Sequence, residues 1–126
     1  MKSLITAIIL AAVIIFGGVY ATNKLNDVSD YLIDVCEDTR NKIEEDDFEG
    51  AKELADKMKK CLEDNYNMFA TSIDHNEVDK IEMNINQMQV YIEKKQKADA
   101  LAFANVLVGL FEHLPKDYKL KLENIL

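Results

Sequence analysis

Two histidines and their acidic neighbours are the residues of this chain best suited to metal binding. His75 lies between Asp74 and Glu77, and His113 stands near the end of a later apolar stretch. Imidazole and carboxylate groups together are common ligands of zinc. Their spacing matches no metal-binding motif, and polar residues are expected at helix ends in any case. We therefore predict no metal site. The residues that could contribute ligands to one are His75, His113, Asp74 and Glu77.

The two cysteines are the other groups with reactive potential. Cys36 and Cys61 occur at apolar positions on opposite arms of a predicted helical hairpin, about one turn out of register. A disulfide between them would need a shift, because the Cα atoms must lie within about 7 Å. Two buried free thiols are the favoured interpretation, and a disulfide between them is the alternative. No CxxC pair, glycine-rich phosphate loop or Ser–His–Asp order occurs, so we predict no catalytic residue, no cofactor and no enzyme.

Charge is distributed unevenly along the chain. All 23 acidic residues follow position 26, as do 13 of the 15 basic residues, and the whole chain has a net charge of −8. So acidic a domain argues against binding nucleic acid, whose phosphates require a cationic surface. It also argues against a domain that lies flat on anionic lipid.

Residues 4–21 form an uncharged apolar stretch. Eighteen residues make a helix of about 27 Å, close to the roughly 30 Å hydrocarbon thickness of a bilayer. We predict a single-pass anchor over residues 1–24 that contacts lipid through residues 4–21. A signal peptide cleaved near Ala21, which releases a secreted domain, is the alternative. Lys2 precedes the stretch and Lys24 follows it, so the acidic domain decides the predicted orientation, with the N-terminus inside and the domain outside.

Helical periodicity continues beyond the anchor. Apolar residues at 3- and 4-residue steps predict a first helix that continues from the membrane to about Glu45. A second helix is expected from an Asp46 or Asp47 cap to near Phe69, and a third from Asp74 through Ile92. The fourth is expected from Ala98 to about Leu114, where Pro115 ends it.

The two halves of the domain resemble each other at an offset of 49 residues, which predicts duplicated αα-hairpins over residues 25–70 and 74–115. The predicted fold is all-α: a transmembrane helix, then two hairpins packed as a four-helix bundle or a TPR-like pair within residues 25–126, then a short C-terminal tail.

Two charged corners would share the tip of this bundle that is farthest from the membrane. Weakly paired, solvated charges are the favoured interpretation, and a docking site for a charged partner is the alternative. The tail places lysines between leucines at the opposite end, suited either to lipid headgroups or to capping the bundle. The interaction candidates are Glu44, Glu45, Asp46, Asp47, Lys94, Lys95 and Lys97 at the tip, with Lys119 and Lys121 in the tail.

Three blocks of sequence resemble the bacterial family known as domain of unknown function 4363. They are the start MKSLITAIIL with FGGVYATNKLNDVSDYL, the middle IDHNEVDKIE and the ending EHLPKDYKLKLENIL. The resemblance implies one N-terminal membrane segment, a helical domain and a source among anaerobic spore-forming Gram-positive bacteria. It also implies an association with genes for a multi-span membrane protein of unknown role, which makes a membrane protein a plausible partner. The resemblance supplies no catalytic residue. Residues 102–109, AFANVLVG, are more apolar than the family suggests, so their exposed face is expected to pack on something.

These observations favour a non-enzymatic, membrane-anchored helical interaction domain, extracytoplasmic and accessory to another membrane protein. A ligand- or metal-sensing helical bundle and a secreted helical domain are the alternatives.

Overall fold

The computed structural model describes the backbone of residues 1–125 and the side chains of residues 1–114. Its regular structure is entirely α-helical over this range, which confirms the predicted fold class. The helices are α1 (Lys2–Glu44), α2 (Phe48–Asp64), α3 (Tyr66–Ser72), α4 (His75–Glu93) and α5 (Lys97–Ile125).

Helix α1 is unbroken for 43 residues, about 64 Å at 1.5 Å per residue. The large apolar side chains of its first half, from Leu4 to Tyr20, are between 54% and 74% exposed. From Leu25 to Ile43 the helix turns one face into the protein core, with buried residues at 3- and 4-residue steps. The prediction that one helix continues from the apolar stretch to about Glu45 is confirmed.

Four helices enclose the core. α1 packs beside α2 and α5, and α4 packs beside the same two helices, so α1 and α4 occupy opposite corners of a four-helix bundle. Burying this many apolar side chains is the main source of its stability. The largest fully buried side chains are Phe69, Phe111, Leu25, Leu32, Ile43, Met58, Ile73, Ile81, Ile85, Met88, Ile92 and Leu107.

The turns at the tips of the two hairpins have the same geometry. Asp46 and Lys95 both adopt a positive φ, of 61° and 58°. The amide N–H of each donates to the carbonyl three residues earlier, and the next N–H donates five residues back, at distances of 2.8–3.1 Å. Asp46 and Lys95 are related by the same 49-residue offset that relates the buried positions of the two halves.

The second predicted helix is divided at Asn65, so the expectation of one helix to Phe69 is wrong. The Asn65 side-chain N–H donates to the carbonyl of Cys61 at 2.8 Å, a local bond that competes with helix continuation. The short α3 that follows crosses the end of the bundle and contacts α1, α2 and α4. Its Phe69 is buried, as is Ile73 just after it, and the two close the core at the end where α1 leaves it.

Helix α5 continues through Pro115 to Ile125, so the prediction that it ends at Leu114 is wrong. A proline inside a helix removes one backbone hydrogen bond and costs roughly 3 kcal/mol. The residues that follow are mainly Lys, Leu and Glu, which favour helix and include no second breaker. The end of α5 therefore could not be predicted from the proline alone.

Candidate functional site

The charged tip brings one of its predicted lysines onto the acidic corner. Lys97 Nζ lies 3.2 Å from an Asp46 carboxylate oxygen and donates to the Glu44 carbonyl oxygen at 3.0 Å. The two hairpins are thus joined at their tips. Asp46 is 69% exposed at its side chain, and a pair so open to solvent contributes at most about 1 kcal/mol.

The other charged tip residues have separate positions. Asp47 caps α2 by accepting the Gly50 N–H at 2.9 Å and lies 3.6 Å from Lys42 Nζ. Glu45, Lys94 and Lys95 are exposed, and no ion pair among the described side chains joins either lysine to the acidic corner. The side chains of Lys119 and Lys121 lie outside the described residues. Their proposed interaction role stays a prediction.

Three of the four residues considered for metal binding lie at the start of α4, and the fourth, His113, lies within α5. Asp74 caps α4 by accepting the Asn76 N–H at 3.4 Å, and Glu77 lies in the first turn. His75 Nε2 lies 3.3 Å from an Asp79 oxygen on the same helix, with 73% of the His75 side chain exposed. His113 is exposed on α5. Among the side chains described, no group of three His, Cys, Asp or Glu residues is placed to hold a metal ion.

Both cysteine thiols are free in the structure. Cys36 is fully buried and donates its S–H to the Ala104 carbonyl oxygen at 3.3 Å. Burial raises its pKa to about 12, so the thiol stays protonated and is a poor nucleophile. Cys61 is half-buried, and burial raises its pKa as well, opposed by a hydrogen bond from Asn65.

The first half of α1 is the most apolar exposed surface in the described chain. It is long and apolar enough to cross a membrane, and none of its apolar window is buried among the residues that the structure describes. The helix turns into the bundle core at Leu25, four residues after Ala21, which is about 6 Å of helix. A membrane on residues 4–21 would therefore lie close to the end of the bundle that α3 closes, the end from which α5 continues beyond Leu114.

A second exposed surface lies on the α4–α5 hairpin, and the sequence indicated only part of it. Residues 34–43 and 51–62 of the first hairpin contain five and six charged residues, whereas the corresponding residues 83–92 and 100–111 contain none. On the outer side of the α4–α5 hairpin, Met83 is 64% exposed and Val106 46% exposed. The apolar content of residues 102–109 indicated the part of this surface that lies on α5. Comparing the exposed positions of the two halves at the 49-residue offset would have indicated the part on α4.

A shallow groove of about 510 Å³ runs along this surface. Its lining combines the apolar side chains of Met83 and Phe103 with amide and charged groups of α4. The Phe103 ring stacks on Tyr91, with centroids 5.5 Å apart and planes inclined by 19°. This stacked pair holds the floor of the groove in place.

Comparison with known proteins identifies a family and no closer relative. No curated protein matches the chain, and no solved structure matches it. The model of one family, described as a domain of unknown function (DUF4363), matches residues 19–125. This range includes the end of the apolar segment and all four bundle helices. The chain therefore belongs to the DUF4363 family.

Proposed function

We propose that this protein is a non-enzymatic helical interaction domain, anchored in the cell membrane by α1 and acting on another membrane protein. The observation that carries the proposal is the continuity of α1, whose first half is apolar and exposed and whose second half belongs to the bundle core. An unbroken helix transmits position and orientation, unlike a flexible linker. The bundle is thus held within a few ångströms of the bilayer, where a membrane protein is the nearest partner.

The interior of the bundle supports a structural role. Cys36 is the buried thiol of the core, and it stays protonated with its S–H donated to a helix carbonyl. The histidines lie at exposed positions, where His75 forms a pair within its own helix. Cys36 thus serves the packing of the core, and we propose that binding takes place on the outer surfaces.

We further propose that the domain lies outside the cytoplasm. Lys2 and the terminal amine lie just before the span and Lys24 lies just after it, so the short flank before the span has the larger positive charge; the long domain after it has ten more acidic than basic residues. Positive charge tends to stay on the cytoplasmic side. A membrane-impermeant maleimide applied to intact cells that express Lys60→Cys, with wild type as background, tests this. Labelling only after lysis would place the domain inside.

The anchor itself is tested by the intact mass of the protein recovered from carbonate-washed membranes. We expect the full 126-residue mass in the membrane pellet. In a matched pair, Val13→Lys, at the middle of the apolar segment, should release protein, whereas Asn23→Lys, beyond it, should not. A chain that begins at Thr22 in the soluble fraction would instead establish a secreted domain.

The interaction role is tested by photocrosslinking in intact membranes. A photoreactive residue at Ile8 samples the span, and one at Lys60 samples the outer side of the bundle. We expect at least one of them to capture a membrane protein in a defined, saturable adduct. Recovery of only uncrosslinked chain from both positions, in protein shown to be folded and membrane-bound, would contradict the proposal.

A further inference from the structure

We propose that two copies of this chain pair through the outer side of the α4–α5 hairpin. This surface is termed the neutral face and is defined by Met83, Gln87, Val90, Phe103 and Val106. These five residues bear no formal charge, with Asp79 and Lys80 beside them in the same groove. Three of the apolar side chains are at least 45% exposed: Met83, Val90 and Val106. The inference concerns a second copy of the chain, so it goes beyond the proposed function and holds whatever other partner is bound, but it rests on the proposed anchoring of α1 in the membrane.

The internal repeat shows that this surface departs from the pattern of its own fold. At the 49-residue offset, Met83 corresponds to Asp34 and Val106 to Lys57. All four residues are exposed, so burial in the bundle does not account for the difference. The first hairpin thus has charged residues at these outer positions, and the second has apolar ones on the same scaffold. Depletion of charge together with exposed apolar groups is what distinguishes the centre of a protein interface.

The charge of the chain favours a second copy as the occupant. A two-fold symmetric contact places a surface against itself, so each charge on or near its axis meets a like charge. On a chain with a net charge of −8, an uncharged surface avoids this repulsion. Gln87 adds an amide that donates and accepts hydrogen bonds, which makes it complementary to its own copy.

The position of the neutral face is compatible with two anchored copies. α1 lies at the corner of the bundle opposite α4. A two-fold axis perpendicular to the membrane can therefore bring two α4–α5 hairpins together while each α1 enters the bilayer separately. Helix spacing and rise give a face of about 15 by 20 Å, smaller than a standard interface. Confinement to one membrane in one orientation raises the effective concentration that such a small contact requires.

Cysteine crosslinking of the full chain in its membrane tests the pairing. Val106→Cys, treated with a short bismaleimide, should give a species at twice the 14.4 kDa of the chain. The matched control is Lys57→Cys, the same place on the charged hairpin, and wild type measures the background from half-buried Cys61. Equal dimer yield from both variants, or capture of a different protein by Val106→Cys, would overturn the proposal.

A second test of the pairing needs no crosslinker: the charges found on the first hairpin are placed at the equivalent positions of the neutral face. Val106→Lys and Met83→Asp place like charges across the two-fold contact, and each should lower the dimer fraction of the full chain in nanodiscs at least ten-fold. Lys57→Val, which removes a charge from the opposite hairpin, should leave that fraction unchanged. Helical circular dichroism confirms that each variant is folded. A dimer fraction unaffected by both charged variants would refute pairing through the neutral face, whatever the outcome for the other membrane partner.

Discussion

Asp46 and Lys95 hold the same left-handed backbone conformation at equivalent places in the two hairpins, with φ of 61° and 58°. Neither is glycine, so both bear a Cβ in a region that costs most residues about 1–2 kcal/mol. Aspartate tolerates this conformation better than lysine does, because its short polar side chain can bond locally. Both halves therefore have the same turn geometry, although the backbone preference of Lys95 opposes it.

Lys95→Gly should stabilise the protein by about 1 kcal/mol, because glycine adopts a positive φ without steric cost. Asp46→Gly should gain less, since it also removes the 3.2 Å pair with Lys97. Urea unfolding of the full chain in detergent micelles measures both. Lys95→Ala is the control: alanine keeps the Cβ, so a gain equal to that of glycine would show that backbone strain is not the cause.

Ser29 gives a second stability prediction. Its hydroxyl is buried and has no hydrogen-bond partner among the side chains and backbone groups that the structure describes. The second hairpin has Val78 at the equivalent position. An unsatisfied buried hydroxyl is destabilising, and alanine has the higher helix propensity. Ser29→Ala should therefore raise the free energy of unfolding by about 1 kcal/mol.

Thr39 provides the comparison for Ser29. Its buried hydroxyl donates to the Val35 carbonyl oxygen at 2.7 Å, so Thr39→Val removes a bonded hydroxyl and should give no such gain. Loss of stability in Ser29→Ala would mean that the hydroxyl has a partner in solution.

Local signals in the sequence predicted most of the helical framework. The 3- and 4-residue steps from Leu25 to Ile43 match the buried face of α1, and Asp47 and Asp74 cap the helices expected from their positions. The break at Asn65 was missed, because asparagine is compatible with a helix until tertiary packing favours another path. Here Phe69 and Ile73 must turn back over the open end of the core.

The surfaces were harder to predict than the core. The 49-residue comparison was applied to apolar positions, which are constrained by burial and so matched well. Met83 and Val106 became notable only when the structure showed them exposed. The pairing of Lys97 with Asp46 was expected in outline, yet the Lys97 bond to the Glu44 carbonyl depends on a turn whose φ no sequence pattern indicated.

The buried thiol of Cys36 predicts a loss of stability at alkaline pH. Its ordinary pKa of 9.0 is raised to about 12 by burial in the folded state. Between these values the unfolded chain binds fewer protons than the folded chain, so rising pH favours unfolding. Below pH 9 both states hold the proton, and this contribution to the pH dependence vanishes.

Comparison of wild type with Cys36→Ala isolates this effect. The difference between their unfolding free energies should be constant below pH 9 and then change by up to about 1.4 kcal/mol per pH unit, to the disadvantage of wild type. Urea titrations at pH 8, 9, 10 and 11 measure it. A difference that stays constant to pH 11 would mean that the Cys36 thiolate is tolerated inside the folded bundle.

Tyr66 offers the sharpest test of how the bundle stands on the membrane. It begins α3, which closes the end of the bundle where α1 leaves the core. If α1 spans the bilayer, this end lies at the headgroups, the region that aromatic side chains with a polar edge prefer. The chain has no tryptophan, so Tyr66→Trp supplies a single fluorescent probe. Its emission should be quenched by phospholipids labelled at shallow depth in vesicles that contain the full chain.

Tyr31→Trp is a closely matched control for this measurement. Tyr31 and Tyr66 are 46% and 48% exposed, so aqueous quenchers should reach both in detergent. Tyr31 lies ten residues beyond Ala21, about 15 Å farther from the span along α1, and labelled lipid should not quench it. Equal lipid quenching at both positions would mean that the bundle lies on its side against the bilayer. Lipid quenching at neither position would place the bundle away from the membrane surface. That result would contradict a continuous α1 that spans the bilayer.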